Sequence, residues 1–428
     1  MVSANGFDLN GVYLAGIYYL IDLRLKFRYI LFLRDPILQT MASKLDFVDR
    51  ELARRREKGQ LRALRTLQAG EGTTVIAEGR KLVNFSSNDY LGLASHPLLR
   101  QRAVEFADLH GAGARASRLI AGSHPGFVRV EERLAGLKQT AKALVFNSGY
   151  QANISLLPAL ADRHCLMLLD RRCHNSLIQG AALSRCQTRR YRHGDLDHLR
   201  ALLVEGAEAD YTRRLIVTES VFSMDGDISD IDELVELAAE FDALLIVDEA
   251  HATGVLGERG MGLTCGKGVD VCIGTFGKAM GAFGAYIACG ESMWEYLVNS
   301  CSGFIYTTAL PPSVLGSIDA ALELVPEMDA QRRALFANVG YLRAALRDQG
   351  WDVGLAGSQI VPVVVGAEEE ALALNRYLEE SGYLAVAIRP PTVEPGSARI
   401  RLALNALHQR SDLELLLERL RRWRDDRS

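Results

Sequence analysis

Three side chains in the stretch 242–289 have the types and spacing that carbonyl chemistry requires. Asp248 ends an apolar run, His251 follows three positions later, and Lys278 lies in a glycine-rich turn after a second apolar run. A carboxylate at the mouth of an apolar sheet is costly unless it meets a cation, and a protonated pyridine nitrogen is one such cation. A desolvated lysine amine is suited to form a Schiff base. Together the three residues predict a site for pyridoxal phosphate (PLP).

The phosphate of that cofactor needs an anion site, and the turn 147–153 (NSGYQAN) offers one. It joins the apolar run 142–146 to a helical stretch, so its amide groups and the helix dipole suit an anion. Thr275, three residues before Lys278, adds a hydroxyl. Each feature taken alone also fits a structural role, as a helix cap, a solvated charge or a local hydrogen bond. The combination favours the cofactor site.

Short apolar runs that alternate with helical patterns must position these residues. The runs lie at 142–146, 165–169, 214–218, 243–247, 270–276 and 283–288. This alternation predicts an α/β fold with a mostly parallel sheet that is covered by helices on both faces. Because ligands bind at the carboxyl ends of the strands in such sheets, we expect the turns after Phe146, Val247 and Phe276 in one neighbourhood.

We expect a large sheet domain flanked by smaller parts. The expected bounds are 1–40 for an N-terminal extension, 41–85 for a helix and a hairpin, 86–325 for the large PLP-binding domain and 326–428 for a smaller α+β domain. The first helix is predicted over 43–67, and the hairpin turns at Glu78 and Gly79. Further along, the pattern predicts helices at 311–325, 329–349 and 369–381, strands at 359–365, 384–389 and 398–404, and a last helix opened by a capping box at Ser411 and Glu414.

Residues 1–40 raise the question of a membrane anchor. The apolar run 11–33 is interrupted by four charged residues between positions 22 and 28, whereas a spanning helix needs about 20 nearly uncharged residues. The cations also lie within and after the run, which is the wrong order for a signal peptide. Because Met41 opens a stretch typical of an enzyme start, we interpret residues 1–40 as an upstream extension that a misplaced start codon would explain. An amphipathic anchor at a membrane surface is the alternative.

The composition is that of a globular protein acting on small molecules. Of the 428 residues, 48% are hydrophobic and 24% are charged, which excludes a disordered or fibrous chain. The 49 Lys and Arg residues against 53 Asp and Glu residues give a net charge of −4, too mild for attraction to nucleic acids or acidic membranes to dominate. The seven cysteines form no CxxC pair, so we expect neither a metal site nor a disulfide framework, and a reducing, cytoplasmic location.

Beyond these local patterns, a set of motifs resembles the α-oxoamine synthases, from about residue 60 to the C-terminus. The motifs are SSNDYLGLA (86–94), GAGARASRLIAG (111–122), NSGYQAN (147–153), VTESVFSMDGD (217–227), VDEAHATGVLGERG (247–260), TFGK (275–278), IYTTALPP (305–312) and IRPPTVEPGSARIRL (388–402). The resemblance implies the fold-type I, aspartate-aminotransferase-like architecture, with a large, mostly parallel, seven-stranded sheet domain and a smaller α+β C-terminal domain. It also implies condensation of an amino acid with an acyl thioester, release of carbon dioxide, and a homodimer whose active site lies at the subunit interface.

The resemblance assigns catalytic roles residue by residue. Lys278 would form the internal aldimine and carry the later proton transfers. Asp248 would keep the ring nitrogen protonated, so that the ring withdraws electrons. His251 would bond the phenolic oxygen of the cofactor, and His174 would stack on its ring. These four residues are the expected catalytic centre.

The resemblance also assigns the residues that bind the cofactor and the substrate. The phosphate would be held by Ser148, Gly149, Tyr150 and Thr275, and by Thr307 from the other subunit. Ser223 would orient the cofactor through its hydroxyl. Arg401 would bind the substrate carboxylate through a bidentate pair, with Asn88 and Arg62 near the amino acid.

Substrate choice depends on local segments. IRPPTV (388–393) favours the family member that joins L-alanine to a pimeloyl thioester, carried by coenzyme A or by an acyl carrier protein. A sibling that uses glycine or serine with another acyl donor is the alternative. Arg115 and Ala116 interrupt a glycine-dense stretch, so the sequence does not determine which acyl chain is preferred. A silent subunit without activity is disfavoured by the joint presence of Lys278, Asp248 and His251. A nucleotide-binding dehydrogenase is excluded because no GxGxxG follows a first strand.

Overall fold

Residues 44–427 are described by the computed structural model. The chain divides into two units, the second of which begins at Leu67. In the first unit, residues 44–57 form helix α1, and residues 58–66 form neither helix nor strand. The predicted helix over 43–67 is therefore wrong in its second half. It ends because Gly59 adopts a φ of 61°, and the backbone bond from Gln60 N to Arg55 O closes the last turn.

The second unit holds the strands and the remaining helices. The strands are β1 (Gln68–Ala69), β2 (Thr74–Ala77), β3 (Arg80–Asn84), β4 (Lys142–Phe146), β5 (Cys165–Asp170), β6 (Gln187–Tyr191), β7 (Arg213–Glu219), β8 (Ala243–Asp248), β9 (Val271–Thr275), β10 (Ala285–Cys289), β11 (Ile360–Gly366), β12 (Tyr383–Leu384), β13 (Ala387–Ile388) and β14 (Ala398–Ala403). The helices are α2 (Pro97–His110), α3 (Pro125–Lys138), α4 (Gly149–Leu160), α5 (Asn175–Ser184), α6 (Leu196–Ala207), α7 (Ile231–Glu240), α8 (Glu291–Ser300), α9 (Ser302–Ile305), α10 (Pro312–Leu324), α11 (Asp329–Asp348), α12 (Glu368–Glu380) and α13 (Arg410–Asp425).

A seven-stranded sheet in the order β4-β10-β9-β8-β7-β5-β6 confirms the predicted architecture. Its strands run parallel except β10, which is antiparallel to β4 and β9. All six predicted strands are present. Sequence reasoning missed β6, whose residues QTRRY contain no apolar run because an edge strand buries only part of its surface. Predominantly apolar side chains bury both faces of the central strands, so the sheet is a rigid platform for the loops at its edge.

Two smaller sheets complete the second unit. The hairpin of β2 and β3 turns at Glu78 and Gly79 as predicted, both with positive φ, and β12 joins it in parallel. The antiparallel sheet β11-β14-β13 belongs to the smaller C-terminal part. The strand predicted at 384–389 is split, because β12 and β13 pair with different sheets.

Two further sequence predictions concern the start of the last helix and the presence of a membrane-spanning helix. Helix α13 begins earlier than predicted, and its capping box is formed by Gln409 and Asp412 instead of Ser411 and Glu414. In the part of the chain that the structure describes, no helix is both long and apolar enough to cross a bilayer. The predictions for residues 1–40 lie outside the described residues. The boundary near position 326 stays a prediction.

Candidate active site

The candidate residues gather at the carboxyl edge of the seven-stranded sheet. Asp248 is the last residue of β8, Thr275 is the last residue of β9, and Ser148 follows β4 by two positions. Strands β8 and β9 are neighbours and parallel, so their ends and the loops that follow open on the same side. This placement confirms the neighbourhood predicted from the alternating strands and helices.

Lys278 and His251 are joined directly. Lys278 Nζ lies 2.9 Å from His251 Nε2, and His251 Nδ1 lies 2.6 Å from the hydroxyl of Tyr90. Gln359 fixes the backbone of this segment by donating from Nε2 to the carbonyl of His251 at 2.7 Å. The imidazole is thus held at both ring nitrogens, and its Nε2 faces the lysine amine.

Arg401 reaches the same cluster from strand β14 of the smaller C-terminal part. Its Nε donates to the carbonyl of Ser223 at 2.5 Å, and its Nη2 donates to Asn88 Oδ1 at 3.2 Å and to the Tyr90 hydroxyl at 3.4 Å. Arg401 is 8% exposed and has no carboxylate partner within residues 44–427. A buried guanidinium with only neutral partners is well suited to bind an incoming carboxylate.

Asp248 is the complementary case, a buried carboxylate without a cation. Its Oδ2 accepts a hydrogen bond from Asn153 Nδ2 at 2.8 Å, and its Oδ1 accepts one from the backbone of Ala250 at 2.9 Å. Only 6% of Asp248 is exposed, and in the described part of the chain no Lys, Arg or His lies within ion-pair distance of it. A buried carboxylate in this state is stabilised by a protonated ring nitrogen.

His174 lies at the N-terminus of α5, beside these groups. Its Nδ1 is 2.7 Å from Ser176 Oγ, whose oxygen also accepts a hydrogen bond from Asn153 Nδ2 at 2.9 Å. The backbone amide of His174 donates to the carboxyl group of Glu219, at the end of β7. These contacts fix the position of the imidazole that the resemblance places against the cofactor ring.

Burial and neighbouring charges shift the pKa values of the site. Burial lowers the pKa of Lys278 to about 8, and the negative charges of Asp248 and Glu219 counter this only in part. Burial, together with the positive charges of Lys278 and Arg401, lowers the pKa of His251 well below 6.5, so this ring is neutral. Burial and the charge of Asp248 raise the pKa of Glu219 well above 4.5.

The predicted phosphate site has the expected backbone geometry. Helix α4 begins at Gly149, and Ser148 is its N-cap, accepting a hydrogen bond from Gln151 N at 3.2 Å. The hydroxyl of Thr275 donates to the carbonyl of Gly284 at 2.9 Å and accepts from Gly277 N at 3.1 Å. The first amides of α4, including that of Tyr150, therefore face outward from a helix N-terminus.

These residues fit the three reactive parts of PLP. The depressed pKa of Lys278 suits attachment to the aldehyde, Asp248 suits the ring nitrogen, and the start of α4 suits the phosphate. The carboxylate of Asp248 supplies the observation most specific to such a group, since it is buried and no cation of the described residues pairs with it. Within residues 44–427, no group of three or more His, Cys, Asp or Glu side chains is arranged to hold a metal ion.

Four predicted residues have a different or untested placement. Ser223 contacts Arg401 through its backbone carbonyl, so the predicted role of its hydroxyl stays a prediction. Thr307 accepts a hydrogen bond from Asn147 Nδ2 at 3.1 Å within the same chain, and a contact from the other subunit also stays a prediction. Asn88 joins the site through Arg401, whereas Arg62 belongs to the first unit and its role near the substrate stays a prediction.

Sequence reasoning missed five residues of this network. They are Tyr90, Asn153, Ser176, Glu219 and Gln359. The first four lie within five positions of a predicted residue, so the signal was proximity within a motif, whereas Gln359 lies outside the motifs. That signal does not tell which neighbour points inward, because the direction depends on the helix phase and on the loop conformation.

Comparisons with known proteins agree on the kind of enzyme that this chain resembles. A family model described as aminotransferase class I and II matches residues 80–420. The chain is 58% identical over 382 residues to the "Putative 8-amino-7-oxononanoate synthase" of Desulfosudis oleivorans, covering 89% of this chain and 99% of the relative. It is 47% identical over 394 residues to the 8-amino-7-oxononanoate synthase of Gluconacetobacter diazotrophicus, covering 90% and 96%. A solved structure described as SPT with the PLP internal aldimine has a TM-score of 0.82 and 26% identity, covering 89% of this chain and 98% of that chain.

Proposed function

Since the chain belongs to the aminotransferase class I and II family and is 47–58% identical to two relatives named for 8-amino-7-oxononanoate synthase, we propose that it performs their reaction with PLP. The enzyme joins L-alanine to a pimeloyl thioester, and yields 8-amino-7-oxononanoate, carbon dioxide and the free thiol. This is a step of biotin biosynthesis. The donor thiol belongs to coenzyme A or to an acyl carrier protein.

One observation carries the proposal: a lysine with a lowered pKa, a carboxylate and an arginine lie at one site, and within residues 44–427 neither the carboxylate nor the arginine has an ion-pair partner. Lys278 and Arg401 are linked through His251 and Tyr90, and Asp248 lies at the end of the adjacent strand β8. An amino acid that condenses at its α-carbon needs an amine exchange, an electron sink and a grip on its carboxylate. The site offers a residue for each of these needs.

The protein side chains then have separate tasks. When bound, PLP supplies the electron sink that stabilises negative charge at the α-carbon. Arg401 binds the carboxylate of alanine and orients the α-carbon. Lys278, with a pKa of about 8, exists partly as the free amine at neutral pH and accepts and returns the α-proton. Asp248 holds the proton on the ring nitrogen.

Product analysis distinguishes the proposed reaction of alanine from the sibling reaction, which uses serine or glycine. SPT is similar in fold and 26% identical, whereas the two relatives described above that are named for 8-amino-7-oxononanoate are 58% and 47% identical. Purified protein is incubated with alanine, glycine or serine and with pimeloyl, acetyl, succinyl or palmitoyl thioesters, and the products are identified by mass spectrometry. We expect product from alanine with a pimeloyl thioester. Product from another pair alone would refute the substrate assignment.

Attachment of the cofactor is tested independently of the substrates. Borohydride reduction of the PLP-loaded protein, followed by peptide mapping, should place the label on Lys278. The Lys278→Ala variant is the matched control and should carry no label at that position. A label on another lysine of the wild-type protein would refute the assignment.

Assembly and location complete the proposal. We expect a homodimer in the cytoplasm, with the active site at the subunit interface and Thr307 of one subunit near the phosphate bound by the other. Sedimentation should give twice the mass of one chain. Mixed dimers of Lys278→Ala and Thr307→Ala chains should regain part of the wild-type activity if Thr307 acts across the interface, and none if it acts within its own chain.

A further inference from the structure

His193, which lies outside the catalytic cluster, is clamped between two carboxylates. Its Nδ1 lies 3.0 Å from Asp170 Oδ1, and its Nε2 lies 2.6 Å from Asp227 Oδ2. Its ring meets that of Phe222 edge to face, with 4.4 Å between the ring centres. The side chains of Asp170 and Asp227 are 2% and 18% exposed, so both carboxylates are shielded from water.

This geometry requires a charged ring. A carboxylate only accepts hydrogen bonds, so both ring nitrogens of His193 must carry a proton to bond both aspartates. Burial opposes this charge, but the hydrogen bonds to Asp170 and Asp227 outweigh it and raise the pKa of His193 from 6.5 to about 9. His193 is therefore an imidazolium at neutral pH and compensates two carboxylates at once.

Asp227, the second carboxylate bound by His193, lies at the base of the tight turn 221–228. Val221 and Ile228 pair as an antiparallel bridge, and the amide of Phe222 donates to the carbonyl of Asp227 at 3.1 Å. Gly226 adopts a φ of 70°, and its carbonyl accepts a hydrogen bond from Gly357 N at 2.9 Å. The turn 221–228 is thereby fixed at its base by His193.

The tip of this turn positions the substrate arginine. The carbonyl of Ser223 accepts the hydrogen bond from Arg401 Nε, and the carboxylate of Asp225 pairs with Arg399, which is two residues away on β14. Arg172, next to the β5 end, also pairs with Asp225 at 3.1 Å. A shift of the turn would move the only carbonyl that holds Nε of Arg401 among the described residues.

We propose that His193 is a positioning residue for amino-acid binding, because its imidazolium ties the end of β5 to the turn 221–228 and so seats Arg401. The inference rests on the proposed function, in which Arg401 binds the substrate carboxylate. Loss of the positive charge of His193 should weaken this positioning. It leaves Asp170 and Asp227 buried without a cation, and the turn 221–228 must open to hydrate them.

The test measures binding of L-alanine to the full-length, PLP-loaded protein from the change in visible absorbance, without any acyl donor. Failure of the pimeloyl assay would therefore leave this test readable. In the His193→Gln variant, we expect the dissociation constant of L-alanine at pH 7.5 to rise by at least about tenfold, the range for losing hydrogen bonds to a charged group. The rise should occur without loss of borohydride labelling at Lys278. His164→Gln, an exposed histidine at the other end of β5, is the matched control and should bind as the wild type does.

The pH dependence gives a readout that a merely structural role would not change. Other titratable groups around the cavity of about 420 Å³ beside His193 are Asp195, Asp197, Asp230 and Glu233, with Asp170 and Asp227 in contact and Tyr191 at the end of the preceding strand β6. Burial keeps the pKa of Tyr191 well above 10, whereas the pKa of His193 is about 9, so a change in alanine binding near pH 9 reports on His193. The ratio of the variant and wild-type dissociation constants, in which the titration of alanine cancels, should fall towards one above pH 9.

A second variant covers the case in which His193→Gln does not fold. His193→Gln with Asp227→Asn removes the imidazolium together with one of the two carboxylates that it compensates, and keeps neutral hydrogen-bonding groups, so it should bind alanine within about threefold of the wild type at pH 7.5. The double variant should also bind more tightly than the wild type above pH 9. Unchanged alanine binding in His193→Gln, a pH-independent ratio, or parallel loss of alanine binding and Lys278 labelling would each overturn the proposal.

Discussion

Two buried lysines in the large sheet domain have opposite electrostatic environments. Lys138, at the end of α3, is fully buried and donates from Nζ to Glu249 Oε2 and to the carbonyl of Met261, both at 2.6 Å. Lys278 has the neutral ring of His251 as its hydrogen-bond partner, at 2.9 Å. Burial opposes the charge of Lys138, but its contact with Glu249 holds the pKa of that ammonium well above 10.5. Burial lowers the pKa of Lys278 to about 8.

The difference arises from two adjacent carboxylates. Asp248 and Glu249 follow one another at the end of β8, and their side chains point in different directions. Glu249 meets Lys138 and also accepts hydrogen bonds from the amides of Leu263 and Thr264, whereas Asp248 meets no cation among the described residues. One carboxylate thus completes a structural ion pair, and the other keeps its negative charge for a ligand. The comparison teaches that the partner, more than the burial, decides which lysine is reactive.

The largest contrast is expected in turnover. Lys278→Ala should lower product formation by at least on the order of 10³-fold, because no other amine replaces it at the site. Its melting temperature should be unchanged or higher, since a buried amine without a carboxylate partner adds no ion-pair stability. Calorimetry and product analysis check both outcomes. A marked loss of stability would show that Lys278 is structural, as Lys138 is.

The Lys138→Met variant is expected to show the opposite pattern. Removal of one partner leaves Glu249 buried and unpaired, which costs about 3–5 kcal/mol of the free energy of unfolding. Denaturant titration measures this loss. The double variant Lys138→Met with Glu249→Leu is the matched control and should recover most of the stability, since a buried pair is often replaceable by apolar groups. If the double variant were as unstable as the single one, the ion-pair explanation would be wrong.

The sequence predicted the reactive lysine of this comparison but not the structural one. The parallel-sheet rule placed Asp248, His251 and Lys278 together without any tertiary information, because strand ends on one edge must meet. Lys138 ends a helix in a region without a motif, and nothing local distinguishes it from a solvated lysine. Its partner is 111 residues away, so only the folded chain reveals the pair.

The same limit explains the missed and corrected elements. Strand β6 is polar because it lies at the sheet edge, and edge position is a property of the whole sheet. Helix α1 ends at residue 57 although the apolar spacing continues beyond it, because Gly59 adopts a positive φ. Tyr90 was within a recognised motif, but its contact with His251 spans 161 positions. Local sequence patterns thus predict which residues carry the chemistry, and only the tertiary structure shows which side chains contact them.

The pH dependence of cofactor attachment measures the pKa of Lys278, which is the property that separates this lysine from Lys138. Only the neutral amine attacks the PLP aldehyde, so the attachment rate of cofactor-free protein should rise with pH and level off above pH 8. Between pH 6 and pH 8 the neutral fraction of Lys278 increases by about 50-fold for a pKa near 8. Stopped-flow absorbance follows the reaction. A midpoint near pH 10.4, the ordinary lysine value, would contradict the depressed pKa.

The smallest effect is expected from two tyrosine hydroxyls, one beside each lysine. The Tyr90 hydroxyl contacts His251 and Arg401, and the Tyr286 hydroxyl is 2.8 Å from Thr253 Oγ1 near Lys138. Both rings are fully buried, so exchange for phenylalanine removes a single polar atom from each. The two variants therefore form a matched pair.

Tyr90→Phe should weaken alanine binding about 3–10-fold, since one hydrogen bond contributes about 0.5–1.5 kcal/mol. The loss acts on both sides of the hydroxyl, because it frees one nitrogen of His251 and removes one contact of Arg401. Tyr286→Phe should lower the free energy of unfolding by a similar amount and leave the dissociation constant of alanine unchanged. Absorbance titration and denaturant unfolding on both variants measure the two effects. If Tyr286→Phe weakened alanine binding as much as Tyr90→Phe did, the regions around the two lysines would not be independent, because Lys138 and its neighbours would then also position the substrate.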